Sequence, residues 1–192
     1  MEPVDLRPPV DAGSMAPIRI APLARADRDA DTESLLRASV GDDLADLNIF
    51  TTLVRHRRLF RRWTRFGALL LNGTLPERDR ELLILRTAHN CGCRYEWGHH
   101  REIAQTRGVT GAEVEAVRVG PAWSGWSAWD ATLLNAADEL HEHSRLSDAT
   151  WHALAERYDD QLLIELSMLV GNYHLVAFTA NSLGIQLEAG YR

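Results

Sequence analysis

The sequence predicts an all-α protein, and three observations carry that reading. Apolar residues recur at helical spacing, as in Leu59, Phe60, Trp63, Phe66 and Leu70 and again in Leu82, Leu83, Leu85 and Ala88. The stretch from Asp160 to about Asn181 is apolar nearly all round, a pattern that belongs to a helix buried centrally or in a subunit interface. No β-rich segment with period-two alternation occurs anywhere.

Residues 1–30 are a different material. Five of the seven prolines fall in the first 22 residues, with scattered Asp and Arg and almost no apolar periodicity, which predicts a mobile or extended arm ahead of a helical domain over residues 31–192. Gly13-Ser14-Met15 has the form of a cloning scar before a native start at Met15; the alternative is an arm that wraps a neighbouring subunit. A short helix follows from Thr32 to Val40, then an acidic turn at Gly41-Asp42-Asp43, then one or two helices from Asn48 to Asn72. Arg55, Arg57, Arg58, Arg61, Arg62 and Arg65 make that region basic. With no accompanying binding motif and a net charge of −6, this reads as a solvated face or a contact with acidic partners, with steering of an anionic substrate as a lesser role, and nucleic acid is not expected.

A helix from about Pro76 to Asn90 is predicted by Pro76 at a first helical position, Thr74 as its cap, and the acids Glu77, Asp79 and Glu81 in its first turns. Gly92 bends the chain, and a second helix runs from about Cys93 to Arg107, closed by Gly108. Thr110 with Glu113 forms a capping box for a helix to about Val119. The loop after it carries Trp123, Trp126 and Trp129, which either anchor the loop or roof an apolar pocket. Helices from Ala131 to Ser144 and from Ser147 to about Tyr158 precede the long apolar one, in which His174 is expected to be a hydrogen-bonded core residue.

At 192 residues, 45% hydrophobic and 25% charged, the chain can bury one good core. No uninterrupted apolar run of about 18 residues and no cationic start followed by an apolar core is present, so neither a membrane span nor a signal peptide is expected. Two closely spaced cysteines make no disulfide framework, which suits a reducing cytoplasm.

The chemistry concentrates in the segment from Glu81 to His100, where carboxylates (Glu81, Glu96), imidazoles (His89, His99, His100) and thiols (Cys91, Cys93) surround one Cys-Gly-Cys break. Cys93, Glu96 and His100 fall at i, i+3 and i+7 and so share one helical stripe, while His99 points about 100° away. An antiparallel return across Gly92 could bring Glu81 to the same place. Two sulfurs in a helical Cys-x-Cys point about 200° apart, so only a strained, non-helical turn would let Cys91 and Cys93 pair. A closely spaced acid and imidazole pair can instead move protons to and from carbon, if burial brings their pKa values toward neutrality. Glu96-x-x-His99 and Asp138-x-x-His141 also have the spacing of dinuclear metal sites, but the extra carboxylates are not evident and no metal is expected.

Arg-Glu-Leu-Leu-Ile-Leu-Arg (80–86) and Tyr-Glu-Trp-Gly-His-His (95–100), with the approach from Asn48, resemble the carboxymuconolactone decarboxylase and alkylhydroperoxidase D superfamily over roughly residues 48–188. The resemblance implies an alkylhydroperoxidase D-like helical bundle that assembles as a homo-oligomer: trimer, hexamer or dimer. Redox members carry Cys-x-x-Cys-x-x-x-His with a glutamate upstream. Anchored on His100, that pattern falls on Cys93, Glu96 and Glu81, so the second cysteine position is a carboxylate here.

The expected function is therefore cofactor-free acid–base catalysis on a small-molecule substrate, a decarboxylation or isomerisation of an organic acid, lactone or polyketide-like compound. His100 is expected as general acid or base, Glu96 as its proton-transfer partner, Glu81 as orienting carboxylate and Cys93 as an auxiliary donor. His99, Tyr95, Trp97 and Trp126 are candidates for lining the substrate pocket, with packing as the alternative for Tyr95 and Trp97. A rival is a thiol peroxidase that attacks through Cys93. A third reading is a ligand-binding protein without chemistry.

Overall fold

The structure, a computed structural model, describes residues 16–191; the arm's first fifteen residues, with the Gly13-Ser14-Met15 junction, lie outside them. Nine α-helices make up the described residues: α1 (Ala30–Val40), α2 (Asn48–Leu53), α3 (Arg57–Leu71), α4 (Glu77–Asn90), α5 (Arg94–Thr106), α6 (Gly111–Val119), α7 (Ala128–His143), α8 (Asp148–Ala155) and α9 (Asp160–Leu183). They contain no strand, which agrees with the all-α reading.

The caps explain most boundaries. Asp29 accepts the Thr32 amide at 2.8 Å and starts α1 two residues earlier than periodicity suggests. Thr110 and Glu113 form the full capping box of α6. Ser127 caps α7, so Trp129 lies in a first helical turn rather than in the preceding loop. There its Nε1–H donates to Asp79 at 2.9 Å, beside the Tyr158 hydroxyl at 2.6 Å, which ties α7 and the end of α8 to α4. Thr74 does not cap α4. Its amide and the Leu75 amide donate instead to Glu165 of α9 at 2.9 and 3.0 Å, and Pro76 takes the N-cap position.

The helix at the centre is α4, which packs against α5, α6, α7 and α9. Leu82, Leu83, Ile84 and Leu85 are all fully buried, so it presents no solvent face along that stretch. The apolar α9 is less enclosed than its composition predicts. Leu163, Leu166, Leu169, Val170, Val176 and Ala177 are buried, but Ile164, Met168, Leu175 and Phe178 form an exposed stripe on its other side. By length and hydropathy α9 could cross a membrane, yet 44% of its apolar window is buried within this bundle. Leu166, Leu169 and Ala177 on its inner side are fully buried in the bundle.

Two further expectations change. From Ala16 the arm docks on its own chain and carries a short 3-10 helix at Arg25–Asp27: the Arg19 amide donates to Leu183 O at 2.9 Å and the Leu23 amide to Thr51 O at 3.1 Å. Gly184 makes this approach possible, because its φ is +68° and a side chain there would collide with Pro17 O. On α3, Leu59 is exposed beside Arg58, Arg61, Arg62 and Arg65, while Phe60 alone of the adjacent pair enters the core. The arginines are exposed on this chain, as either a solvated face or a contact with acidic partners requires.

Candidate active site

The link between α4 and α5 sets up the site. Gly92 adopts a φ of +59°, the Cys93 amide donates to Ala88 O at 2.8 Å and the Gly92 amide to His89 O at 3.0 Å, closing a Schellman turn. Cys93 is then the extended N-cap of α5, and α5 runs back along α4. The reversal brings Glu81 to His100. With the carboxylate accepting, His100 Nδ1–H donates to Glu81 Oε2 at 2.8 Å, and Nε2 is left as acceptor for the Tyr173 hydroxyl at 3.1 Å. Tyr173 packs edge-on to the imidazole, with ring centroids 5.1 Å apart.

Glu96 completes the set one turn before His100. It is 3% exposed, and neither carboxylate oxygen has a hydrogen-bond partner among the described residues. Burial pushes its pKa well above the usual carboxylate range, and the adjacent Cys93 thiol, a weak donor, offsets this only in part. Burial thus favours the protonated form of Glu96. Cys93 is fully buried, and burial followed by the Glu96 charge pushes its thiol pKa well above normal. Tyr173 stays a phenol for similar reasons: burial first, then Glu96 and Glu81. Arg80 is buried with Nε 3.6 Å from Glu81 Oε1, so one guanidinium balances the Glu81 charge, and this Nε makes no hydrogen bond.

Glu81, Glu96, His100 and Cys93 are thus brought together, while the four residues expected to line the pocket are not. His99 Nε2 meets Glu188 at 2.6 Å, and the Tyr95 hydroxyl donates to the same carboxylate at 2.9 Å. Burial acts to raise the Glu188 pKa, but hydrogen bonds from His99 and the Asn48 amide outweigh it and the net shift is downward. This second cluster pins the C-terminal segment to α5 and α2. Trp97 packs in the main core beneath the Arg118 guanidinium, 4.2 Å from its ring centroid. Trp126 donates to Gly120 O at 3.1 Å and stacks edge-on with Trp123, so it closes its own loop. An open groove of about 340 Å³ between α7 and α8 is lined by small neutral side chains such as Ala131, Asn135 and Ala149 and shares no residue with the Glu81–Glu96–His100 set.

Sequence reasoning missed Tyr173. The one signal available was Asn172-Tyr173-His174, a polar run inside an otherwise apolar helix. The paired carboxylate-x-x-His spacings also resolve differently: Glu96 and His99 serve separate clusters, and Asp138 is held by Arg86 at 2.6 Å and Asn90 at 2.7 Å.

The all-helical bundle, with a glutamate, a histidine and a helix-capping cysteine at one junction, has the alkylhydroperoxidase D-like fold. Residues 57–139 match the model of the carboxymuconolactone decarboxylase family. Similar solved structures include a peroxidase-related protein of Ralstonia eutropha JMP134 with an alkylhydroperoxidase AhpD core (20% identity, TM-score 0.73, covering 90% of this chain and 94% of that one). The debrominase Bmp8, in a cysteine-to-alanine form in complex with 2,3,4-tribromopyrrole, is 16% identical (TM-score 0.71, 92% and 95% covered). A peroxidase-related protein of Silicibacter sp. TM1040 is 14% identical (TM-score 0.71, 100% and 96% covered). At these identities the likeness establishes the fold. A search of the curated proteins finds no match.

Proposed function

We propose that the chain is a cofactor-free acid–base enzyme that decarboxylates or isomerises a small organic acid, lactone or polyketide-like substrate. The observation that carries this reading is Glu96: a buried carboxyl without a hydrogen-bond partner among the described residues, whose protonated form burial favours, one helical turn from an imidazole whose Nε2 accepts. In an isomerisation, His100 Nε2 removes a proton from carbon beside a carbonyl, Glu81 stabilises the resulting imidazolium, Glu96 returns a proton at the second carbon, and exchange through solvent then moves the imidazolium proton back to Glu96. In a decarboxylation, the C–C bond to the carboxylate breaks, carbon dioxide leaves, and the electron pair remaining on carbon takes the Glu96 proton, which solvent restores. The Tyr173 hydroxyl turns from His100 to the developing enolate oxygen and donates to it. The complex of a neighbour of this fold with 2,3,4-tribromopyrrole supports a small-molecule substrate.

The rival thiol reading has its own support: Cys93 caps a helix N-terminus, where thiolates are favoured, and two neighbours are described as peroxidase-related. Against it stand the full burial and raised pKa of that thiol. The second thiol, Cys91, faces His141 at 3.9 Å, away from Glu96. Comparing turnover of two variants separates the readings. Glu96→Gln is expected to lower turnover on carboxylated or lactone substrates by about 10²- to 10⁴-fold, with Cys93→Ser losing far less; the opposite order rejects acid–base catalysis.

The exposed apolar stripe of α9 supports assembly as a homo-oligomer. Sedimentation equilibrium at micromolar concentration is expected to give a multiple of the chain mass, and a monomer there would refute it. A reducing cytoplasm suits an enzyme that keeps both thiols reduced.

A further inference from the structure

Away from the Glu81–Glu96–His100 set, three side chains from three elements converge: Cys91 at the C-cap of α4, His141 in the last turn of α7 and His174 in the middle of α9. Their ligating atoms lie within 4.8 Å of one another, and all three residues are half-buried. Cys91 Sγ is 3.9 Å from His141 Nδ1, which is 2.9 Å from His174 Nε2. The two imidazoles are stacked, centroids 5.2 Å apart and planes at 29°.

We propose that Cys91, His141 and His174 form a binding site for a zinc-class divalent cation, with a fourth position open to water or an exogenous ligand. Tetrahedral zinc with ordinary Zn–S and Zn–N bonds separates two nitrogens by about 3.3 Å and sulfur from nitrogen by about 3.6 Å. Two of the observed separations differ from those by about 0.3–0.4 Å, and the third, Cys91 Sγ to His174 Nε2, lies within 4.8 Å, so rotation of the Cys91 side chain has to close at most about 1.2 Å. His174 is already oriented as metal-binding histidines are: its Nδ1–H donates to Val170 O at 2.8 Å, which fixes the tautomer and leaves Nε2 as the available lone pair. Cys91 is held equally well, since its amide donates to Thr87 O at 3.0 Å and its carbonyl accepts from Asn181 at 2.9 Å.

A thiol and two imidazoles are a borderline-soft set, which selects zinc over magnesium or calcium. Without metal, His141 Nδ1–H donates to His174 Nε2. On binding, that proton moves to His141 Nε2, the Cys91 thiol gives up its proton to solvent, and the cation takes one sulfur and two nitrogen lone pairs. One proton is released per metal ion. The site stands independently of the acid–base reading, because none of its ligands belongs to that set.

Cobalt(II) titration of the full, tag-free chain under reducing conditions tests it. The expected result is one equivalent bound, with a thiolate-to-cobalt charge-transfer band that zinc abolishes by displacement. Cys91→Ser removes the band, His174→Gln weakens binding by at least about 100-fold, and His100→Asn leaves both stoichiometry and band intact. A folded wild-type chain without the band, or a band that survives Cys91→Ser or vanishes in His100→Asn, overturns the proposal. Should the variants fail to fold, the wild type decides: zinc is expected to shield Cys91 from alkylation, mapped by peptide mass, and an unshielded Cys91 at saturating zinc rejects the site.

Discussion

Over a window of pH rising from about 5, the chain is expected to lose stability relative to its Glu96→Gln variant, by up to about 1.4 kcal/mol for each pH unit. The sign follows from burial, which raises the folded-state pKa of Glu96 well above its ordinary value of 4.5. The unfolded chain therefore gives up this proton first. Glu96 contributes its full stability below the unfolded pKa, and that contribution drains away as pH rises toward the folded one. Gln at this position has the same shape and cannot ionise. All other titrating groups are common to both proteins, so the difference between their denaturation midpoints isolates Glu96. Parallel stability curves over that window would show that the carboxyl is ionised or solvated in the folded state, and the proposed proton donor would be lost with it.

Glu81→Ala is expected to destabilise the fold by about 3–5 kcal/mol, the usual cost of removing one partner from a buried charged cluster. Glu81 is 1% exposed, accepts from His100 at 2.8 Å and lies against Arg80, so its removal leaves a buried guanidinium and an imidazole N–H without their counterpart. Glu81→Gln keeps the shape and should restore much of that stability, because its amide oxygen can still accept from Nδ1. It does not restore the negative charge that supports an imidazolium, so turnover stays low. Urea denaturation with turnover on the two variants separates these roles. Equal turnover in Glu81→Gln and wild type would reduce Glu81 to a structural residue.

Local periodicity carries much of this molecule. The i, i+3, i+7 stripe of Cys93, Glu96 and His100 and the glycine that reverses the chain are short-range features, and they suffice to bring Glu81 onto His100 across one tight turn. The capping box at Thr110 is equally local. Legibility stops where partners lie far apart in sequence. Tyr173 reaches His100 from 73 residues away, on a helix whose composition suggests only packing. Glu188, 89 residues from His99, draws that imidazole and Tyr95 into an anchoring cluster that no spacing rule on α5 could reveal. Cys91, His141 and His174 come from three helical elements and meet only because α7 and α9 both pack on α4. Thr74 fails as a cap for the same reason, since Glu165 of α9 claims it first.

On the proposed reading, this junction moves protons and does not cycle its thiols. Intact mass after thiol alkylation, with and without a stoichiometric organic hydroperoxide, tests it most directly on wild type and Cys93→Ser. Both cysteines are expected to remain alkylatable while the peroxide persists undiminished. Rapid loss of alkylatable thiol that depends on Cys93 and is reversed by a dithiol would contradict the account and assign the site to thiol peroxidase chemistry.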